Sequence, residues 1–430
     1  MGTLTYLTQI GTIDQVLADA AKGLAPKVRP KVNTHVHMPP NFSAFETVRQ
    51  AVSMATEQGV MVLGAGNYYD YRPYAEFSEA AQQSGVFPLF GTEIITLQRD
   101  LMDQGIRVND PGNPGKTYVC GKGITRFEDL SSRAGQVLNT IRGNDSRRMA
   151  AMTGKMAQVF ASNGVATGLD AEMVSDRIAA RHGCERDTVV LQERHVAQAF
   201  QERMFDLVPL ERRDESLRLL FGAGPTGQPK VKPNDAVGIQ NEFRSHLMKS
   251  GKPCFVPEQY VSLAEARELI WQLGGIDCYP VAADMVAPGC EFETPVDSLV
   301  NTLRGLGFTA VEFISVRNSV KVLTEYVTRL RQAGFAVTDG TEHNTLDLIP
   351  MEPTCKAGES VPDALKDIFW EGACVIAAHQ FLVAQGQYGF VDDKGRPNSE
   401  YRSHEERIKA FSRIGSAVIQ RYIENHRQSS

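Results

Sequence analysis

The sequence predicts an α/β protein, a parallel sheet or barrel interrupted by helices, and three observations predict it. Helix-patterned and β-like runs alternate from residue 46 to residue 94, the same alternation resumes at residue 262, and between about 127 and 250 the strand signal fades.

The elements follow in chain order. "KVNTHVHMPP" (31–40) is a β-like run stopped by two prolines. "ETVRQAVSMATEQG" has helical spacing, "VMVLGAG" is β-like, "YAEFSEAAQQSG" is helical and "VFPLFGTEI" is a further strand. "NDPGNPGKTYVCGKG" (109–123) has the Gly/Pro content of a long ordered loop. Charged helical stretches then take over, including "AEMVSDRIAARHG" and "LQERHVAQAFQERMFDLVPLERRDESLRLLF", with "GAGPTGQPKVKPND" (222–235) as a surface loop among them. Late in the chain, "SLAEARELIWQLGG" precedes "IDCYPVAAD", "PVDSLVNTLRGLG" precedes "FTAVEFIS", and "SVKVLTEYVTRLRQAG" precedes "FAVTDG". Each of these helices closes on Gly, which suits a left-handed cap before the next strand. The tail, "SHEERIKAFSRIGSAVIQRYIENH", reads as an amphipathic helix packed on the outside. The expected division is therefore a main unit of residues 1–126 and 251–430, with 127–250 as a helical insertion.

Composition narrows the function. An apolar fraction of 42% and a charged fraction of 22% are those of an ordinary globular protein. With 45 Lys plus Arg against 51 Asp plus Glu and no basic stripe, nucleic acid is not an expected partner. Neither a signal-peptide core nor an eighteen-residue apolar run is present, so a cytoplasmic protein without membrane contact is expected. Seven scattered cysteines without a C-x-x-C pair indicate neither a disulfide framework nor a zinc knuckle, and read as small buried hydrophobes. Nothing in the sequence signals an oligomeric state.

Chemistry gathers at one rim. Side chains alternate along a strand, so Asn33, His35 and His37 share a face, with the two histidine Cα atoms roughly 7 Å apart. That spacing can chelate one ion, although H-x-H alone reads equally as two solvated or core histidines. Further ligands stand where parallel α/β folds collect them, at strand C-terminal ends: Glu93 in "FGTEI", and Glu342 and His343 in "DGTEHNT". Histidine and carboxylate together suit Zn, Mn or Fe. Lys116 and Lys122, in the Gly/Pro-rich stretch 109–123, could point into such a site, but the P-loop spacing is missing. His379, inside the apolar run "CVIAAHQFLVA", reads as a satisfied core histidine, and His182, His246, His404 and His426 as solvated.

H-x-H after the first strand, G-x-E after the third and a late Gly-Thr-acid-His segment resemble the PHP (polymerase and histidinol phosphatase) family over about 31–126 and 260–345. "RHVAQAF" (194–200) is similar to the Arg-x-His-Ile-Ala helix in the inserted domain of many short PHP phosphoesterases. The resemblance implies a distorted (β/α)7, TIM-like barrel and a metal-dependent phosphoesterase, with Arg194 and His195 reaching over the mouth to an anion. It also exposes departures. Where the family has Thr-Asp-His this chain has Gly66, Asn67 and Tyr68; where it has histidines, Tyr118 and Tyr279 stand; its closing Gly-Ser-Asp-x-His becomes Gly340, Thr341, Glu342, His343 and Asn344. The family pattern thus implies one surviving metal, held by His35, His37, Glu93 and Glu342 or His343, in place of three. Tyr68, Tyr118 and Tyr279 become candidate proton carriers, and Asn67, Asn344, Lys116, Lys122, Arg194 and His195 candidate substrate contacts.

The expected function is a PHP-type hydrolase, a phosphoesterase on a small anionic metabolite, using one divalent ion to activate water. Two alternatives stay open: a metal-dependent lyase, isomerase or deacylase on a sugar-like or acidic metabolite, and a non-catalytic binding or regulatory protein.

Overall fold

The computed structural model describes residues 2–128, 130–222 and 227–429, so residues 223–226 of the expected Gly/Pro loop lie outside the described residues. Its strands are β1 (Lys31–Val36), β2 (Val60–Ala65), β3 (Phe87–Leu97), β4 (Lys116–Lys122), β5 (Ile276–Val281), β6 (Ala310–Ile314) and β7 (Ala336–Gly340). Among the described residues they form one seven-stranded sheet in sequential order. All neighbours pair parallel except β4, which runs against both β3 and β5. The sequence reading of 109–123 as loop throughout is corrected here: residues 116–122 make the reversed strand.

The sheet curls until its ends meet. Just past β7, the N–H groups of Thr341 and Glu342 donate to the His35 carbonyl at 3.1 and 2.8 Å, and the His37 N–H donates to the Glu342 carbonyl at 2.8 Å. This is a nearly closed barrel, consistent with the TIM-like expectation.

Helices wrap it: α1 (Thr5–Ile10), α2 (Ile13–Ala21), α3 (Val48–Glu57), α4 (Pro73–Ser84) and α5 (Arg99–Asp103) come before the insertion. Then follow α6 (Ser132–Ser162), α7 (Ala171–His182), α8 (Glu193–Leu207), α9 (Leu210–Phe221) and α10 (Ala236–Phe243). After it come α11 (Leu263–Gln272), α12 (Val296–Gly305), α13 (Val320–Gln332), α14 (Asp363–Ala384) and the tail helix α15 (His404–Ser429). Local signals explain several starts: Thr12 with Gln15, and Ser262 with Glu265, form reciprocal capping boxes for α2 and α11. Among the described residues no helix is long and apolar enough to cross a membrane.

Two apolar cores result. The larger fills the space between sheet and outer helices, and a smaller one is built by residues from Met149 to Cys254. α6 serves both, since Ala134, Val137, Leu138 and Ile141 pack on the barrel core while Met149, Met152, Met156 and Phe160 pack in the insertion. The seven cysteines are free, and all but Cys184 are buried.

His379 is buried in α14, with Nε2 3.0 Å from the Gly274 carbonyl and Nδ1 accepting from the Phe390 N–H at 3.0 Å. Burial pushes its pKa down to about 4 from the usual 6.5. Between those values the unfolded chain binds the proton that the folded one refuses, so this group's contribution to stability is lost as pH falls from about 6.5 towards 4. Replacing His379 by Gln should cost about 1–3 kcal/mol at pH 7 and remove up to one proton of uptake on unfolding across that window, leaving metal content unchanged. Denaturant titrations at pH 7 and 5, with metal analysis, check all three.

Candidate metal centre

Three side chains converge at the C-terminal rim of the barrel. His35 and His37 leave the end of β1 on one face, their ring centroids 5.1 Å apart, and Glu93 leaves β3. Glu93 Oε2 lies 3.1 Å from His37 Nε2 and 3.8 Å from His35 Nε2. All three residues are buried, yet His35 Nε2, both ring nitrogens of His37 and Glu93 Oε2 lack hydrogen-bond partners. Burying polar atoms without partners costs roughly 1–3 kcal/mol each, so their convergence on one point calls for an occupant. Tetrahedral ligands at about 2.0–2.1 Å from an ion sit roughly 3.4 Å from one another, a value that the 3.1 and 3.8 Å separations from Glu93 Oε2 bracket. The donor set therefore fits a divalent ion with three protein ligands and an open side. Burial works against the Glu93 carboxylate, but His37 and then His35 hold its pKa below the ordinary range.

Room for this arrangement is made by glycine. A Cβ on Gly66 would lie 2.4 Å from His35 Nε2, and one on Gly340 would lie 2.5 Å from His35 Cβ. Behind the ring, His35 Nδ1 is 2.7 Å from Glu312 Oε2. Glu312, on β6, is also bonded by the Lys122 ammonium, which is 3.2 Å from the Thr34 carbonyl as well. Burial opposes ionisation of Glu312, yet Lys122 and His35 hold it down at about 2. The ionised carboxylate accepts a hydrogen bond from the Nδ1–H of His35 and so leaves Nε2 with its lone pair facing Glu93. His35, Cys120 and Glu312 form a second cluster of ligand-type atoms, but there the Lys122 ammonium already supplies the positive charge.

Above the trio lies a cavity of about 300 Å³ between the barrel rim and the insertion. Glu93 and Tyr68 form part of its floor, and Tyr68 stacks on His37 at 5.1 Å with 9° between planes. Burial first, then the Glu93 charge, raises the Tyr68 pKa well above the phenol value. Tyr118 and Lys116 line the same cavity from β4. Lys116 is paired with Glu258 at 3.1 Å and Asp110 at 3.4 Å. Arg194 reaches in from α8 with its guanidinium 6.0 Å from the Phe42 ring and no hydrogen bond or ion pair among the described residues. Burial, then Arg244 and Arg317, lower its pKa to about 10.

Other expectations are corrected. Glu342 lines the cavity but is clasped by Arg317, with Nη1 2.7 Å from Oε1 and Nη2 on Oε2, which also accepts from Asn344. It is thus not brought to the trio as a free ligand. Both nitrogens of His343 are taken, Nδ1 by the Thr341 hydroxyl at 2.7 Å and Nε2 by the Ile349 carbonyl at 3.0 Å. Tyr279 points away from the cavity, its hydroxyl donating to Glu293 at 2.8 Å. Lys122 is inside the barrel on Glu312. His195 is buried at the start of α8, accepting from the Gln192 N–H at 3.2 Å, and Asn67 ties strand ends together through both backbone groups of Met38.

Glu312 and Arg317 are the partners that sequence reasoning missed. Glu312 had a signal, a single carboxylate in the otherwise apolar "FTAVEFIS"; Arg317, two residues past that run, had none.

No protein-family model matches the chain, and no curated protein does. Among solved structures, a protein of Bifidobacterium adolescentis described as a "putative metal-dependent phosphoesterase" is 14% identical with a TM-score of 0.52, the match covering 80% of this chain and 96% of that one. An amidohydrolase from Chromobacterium violaceum, solved with sulfate and no metal, is 17% identical over 79% of this chain and 96% of its own, with a TM-score of 0.47, too low to carry an argument. What the first shares with this chain is its fold.

Gly66→Ala tests the steric account without touching a donor atom. The added methyl, 2.4 Å from His35 Nε2, should lower metal affinity at least tenfold with an unchanged far-UV circular dichroism spectrum. Metal titration of the variant beside the parent protein measures it.

Proposed function

We propose that this protein is a metal-dependent hydrolase of small anionic substrates, phosphoesters foremost, with one divalent ion held by His35, His37 and Glu93. The observation that carries the proposal is the set of buried, unpartnered ligand atoms on those three side chains beneath a cavity that also holds the unpaired Arg194. Fold likeness to a metal-dependent phosphoesterase adds support at the level of architecture.

When bound, such an ion supplies a Lewis acid and a water acidic enough to attack near neutral pH. The protein's own groups do the rest. Glu312 fixes the His35 tautomer, so the imidazole offers Nε2 upward. Arg194 offers a planar fork of donors to a phosphate or carboxylate. Its desolvation, otherwise uncompensated, is relieved by the anion. Tyr68, stacked on His37 beside Glu93, offers a hydroxyl at the cavity floor as a donor to the oxygen that leaves. Tyr118 adds a second phenol to the wall. The insertion roofs the cavity and excludes bulk water, which strengthens each of these contacts.

Metal per chain, measured by mass spectrometry on protein purified without chelator, should be close to one equivalent. His35→Ala and Glu93→Ala should each lose it while keeping the fold, and Arg194→Met should keep the metal but lose at least tenfold in turnover of a phosphomonoester panel. Metal unchanged in both alanine variants would overturn the centre; turnover unaffected by Arg194→Met would overturn the anion's assigned partner.

A further inference from the structure

The cavity is polar at both ends, and the proposed chemistry uses only one. Towards the insertion, Asp145 faces the cavity from α6 without a hydrogen bond or ion pair among the described residues. Its acidic neighbours are matched: Glu258 by Lys116 at 3.1 Å, and Glu193 by Arg148 at 2.6 Å and Lys249 at 2.7 Å. Nearby, the buried hydroxyl oxygen of Tyr260 also lines the cavity without a partner, and Lys116 stands 5.6 Å from its ring. An acceptor and a donor-acceptor are thus both vacant at the Lys116 end, while Arg194 stands at the end shared with Arg317 and Glu342.

Charge decides what fills them. Six basic and six acidic side chains line the cavity, so a bound divalent ion leaves two positive charges over. The ligand must carry net negative charge, which disfavours an ammonium opposite Asp145 and favours neutral donors. Hydroxyls satisfy Asp145 as donors and Tyr260 as either partner.

Resting on the anionic-substrate reading above, we infer that Asp145 and Tyr260 form a hydroxyl-recognition subsite, so that the ligand is a polyhydroxylated anion whose anionic end meets Arg194. Burial raises the Asp145 pKa to about 6 even though the Arg148 charge pulls it down. A site built around hydroxyl contacts discriminates against analogues lacking them, because its own polar groups are then buried unpaired.

The test uses the metal-loaded full chain and two probes that resist hydrolysis, 2,3-dihydroxypropylphosphonate and propylphosphonate, which share an anion and carbon skeleton and differ in two hydroxyls. Calorimetry should give the dihydroxy probe at least tenfold tighter binding. Asp145→Ala and Tyr260→Phe should each narrow that gap at least threefold with metal content and propylphosphonate affinity unchanged, and Arg194→Met should weaken both probes alike. Equal binding of the two probes, still dependent on Arg194, overturns the subsite alone. A gap that survives both Asp145→Ala and Tyr260→Phe overturns its assignment to these residues. Failure of both probes to bind overturns the anionic-substrate reading and the subsite with it.

Discussion

The barrel closes through the backbone of the same tripeptide that carries its two ligand-type histidines. The His35 carbonyl and the His37 amide make the seam to the segment after β7, so where the imidazoles stand is settled by the same hydrogen bonds that finish the fold. Below them the buried run from Lys122 through Glu312 to His35 Nδ1 locks one ring. A buried ion pair of this kind gives little net stability over apolar residues of similar volume, and removing one partner is costly. Its value lies in orientation: Glu312 can serve His35 as an ionised acceptor deep in the protein only because Lys122 neutralises it there.

Much of this was legible in the sequence. Helix-patterned runs closing on Gly, alternating with β-like runs, marked six of the seven strands, and a period of two brought His35 and His37 to one face; Glu93, expected to end its strand, lies inside β3, which continues to Leu97. The remaining strand, β4, was hidden because "KTYVCGK" has polar residues at both ends and follows a Gly/Pro-rich approach, and nothing local reveals that it runs backwards. Glu342 and His343 misled for a different reason. Their residue types suit a metal, but Arg317, Thr341 and the Ile349 carbonyl satisfy them first, and such competition depends on tertiary neighbours. Tyr279 failed by strand parity, since its neighbour Cys278 takes the inward direction.

The insertion is fastened over the mouth by contacts of modest individual worth. Arg142 of α6 reaches Asp70 after β2 at 3.0 Å, Arg72 spans Asp70 and Asp187, His182 meets the Glu46 carbonyl at 2.8 Å, and Gln192 accepts from the Phe42 N–H at 2.7 Å. Exposed pairs among these contribute little alone. Asp70, however, is buried, and sharing it between two arginines makes the rim after β2 a fixed point for the roof. That leaves Tyr68 and Tyr69, its immediate neighbours, with little freedom. Tyr69, like Glu342 and His343, has a positive φ uncommon for residues with side chains, and such conformations persist where surroundings overdetermine them.

The reversal of β4 also sets what kind of object the insertion is. Because β4 delivers the chain to the far end of the barrel, the return journey falls to α6, whose 31 residues span about 46 Å. One continuous helix is therefore a stave of the barrel wall in its first turns and a beam of the roof in its last. A segment joined by two flexible linkers could be cut out cleanly, whereas removing this one from residue 127 onward would also take Ala134, Val137, Leu138 and Ile141 from the barrel's own core.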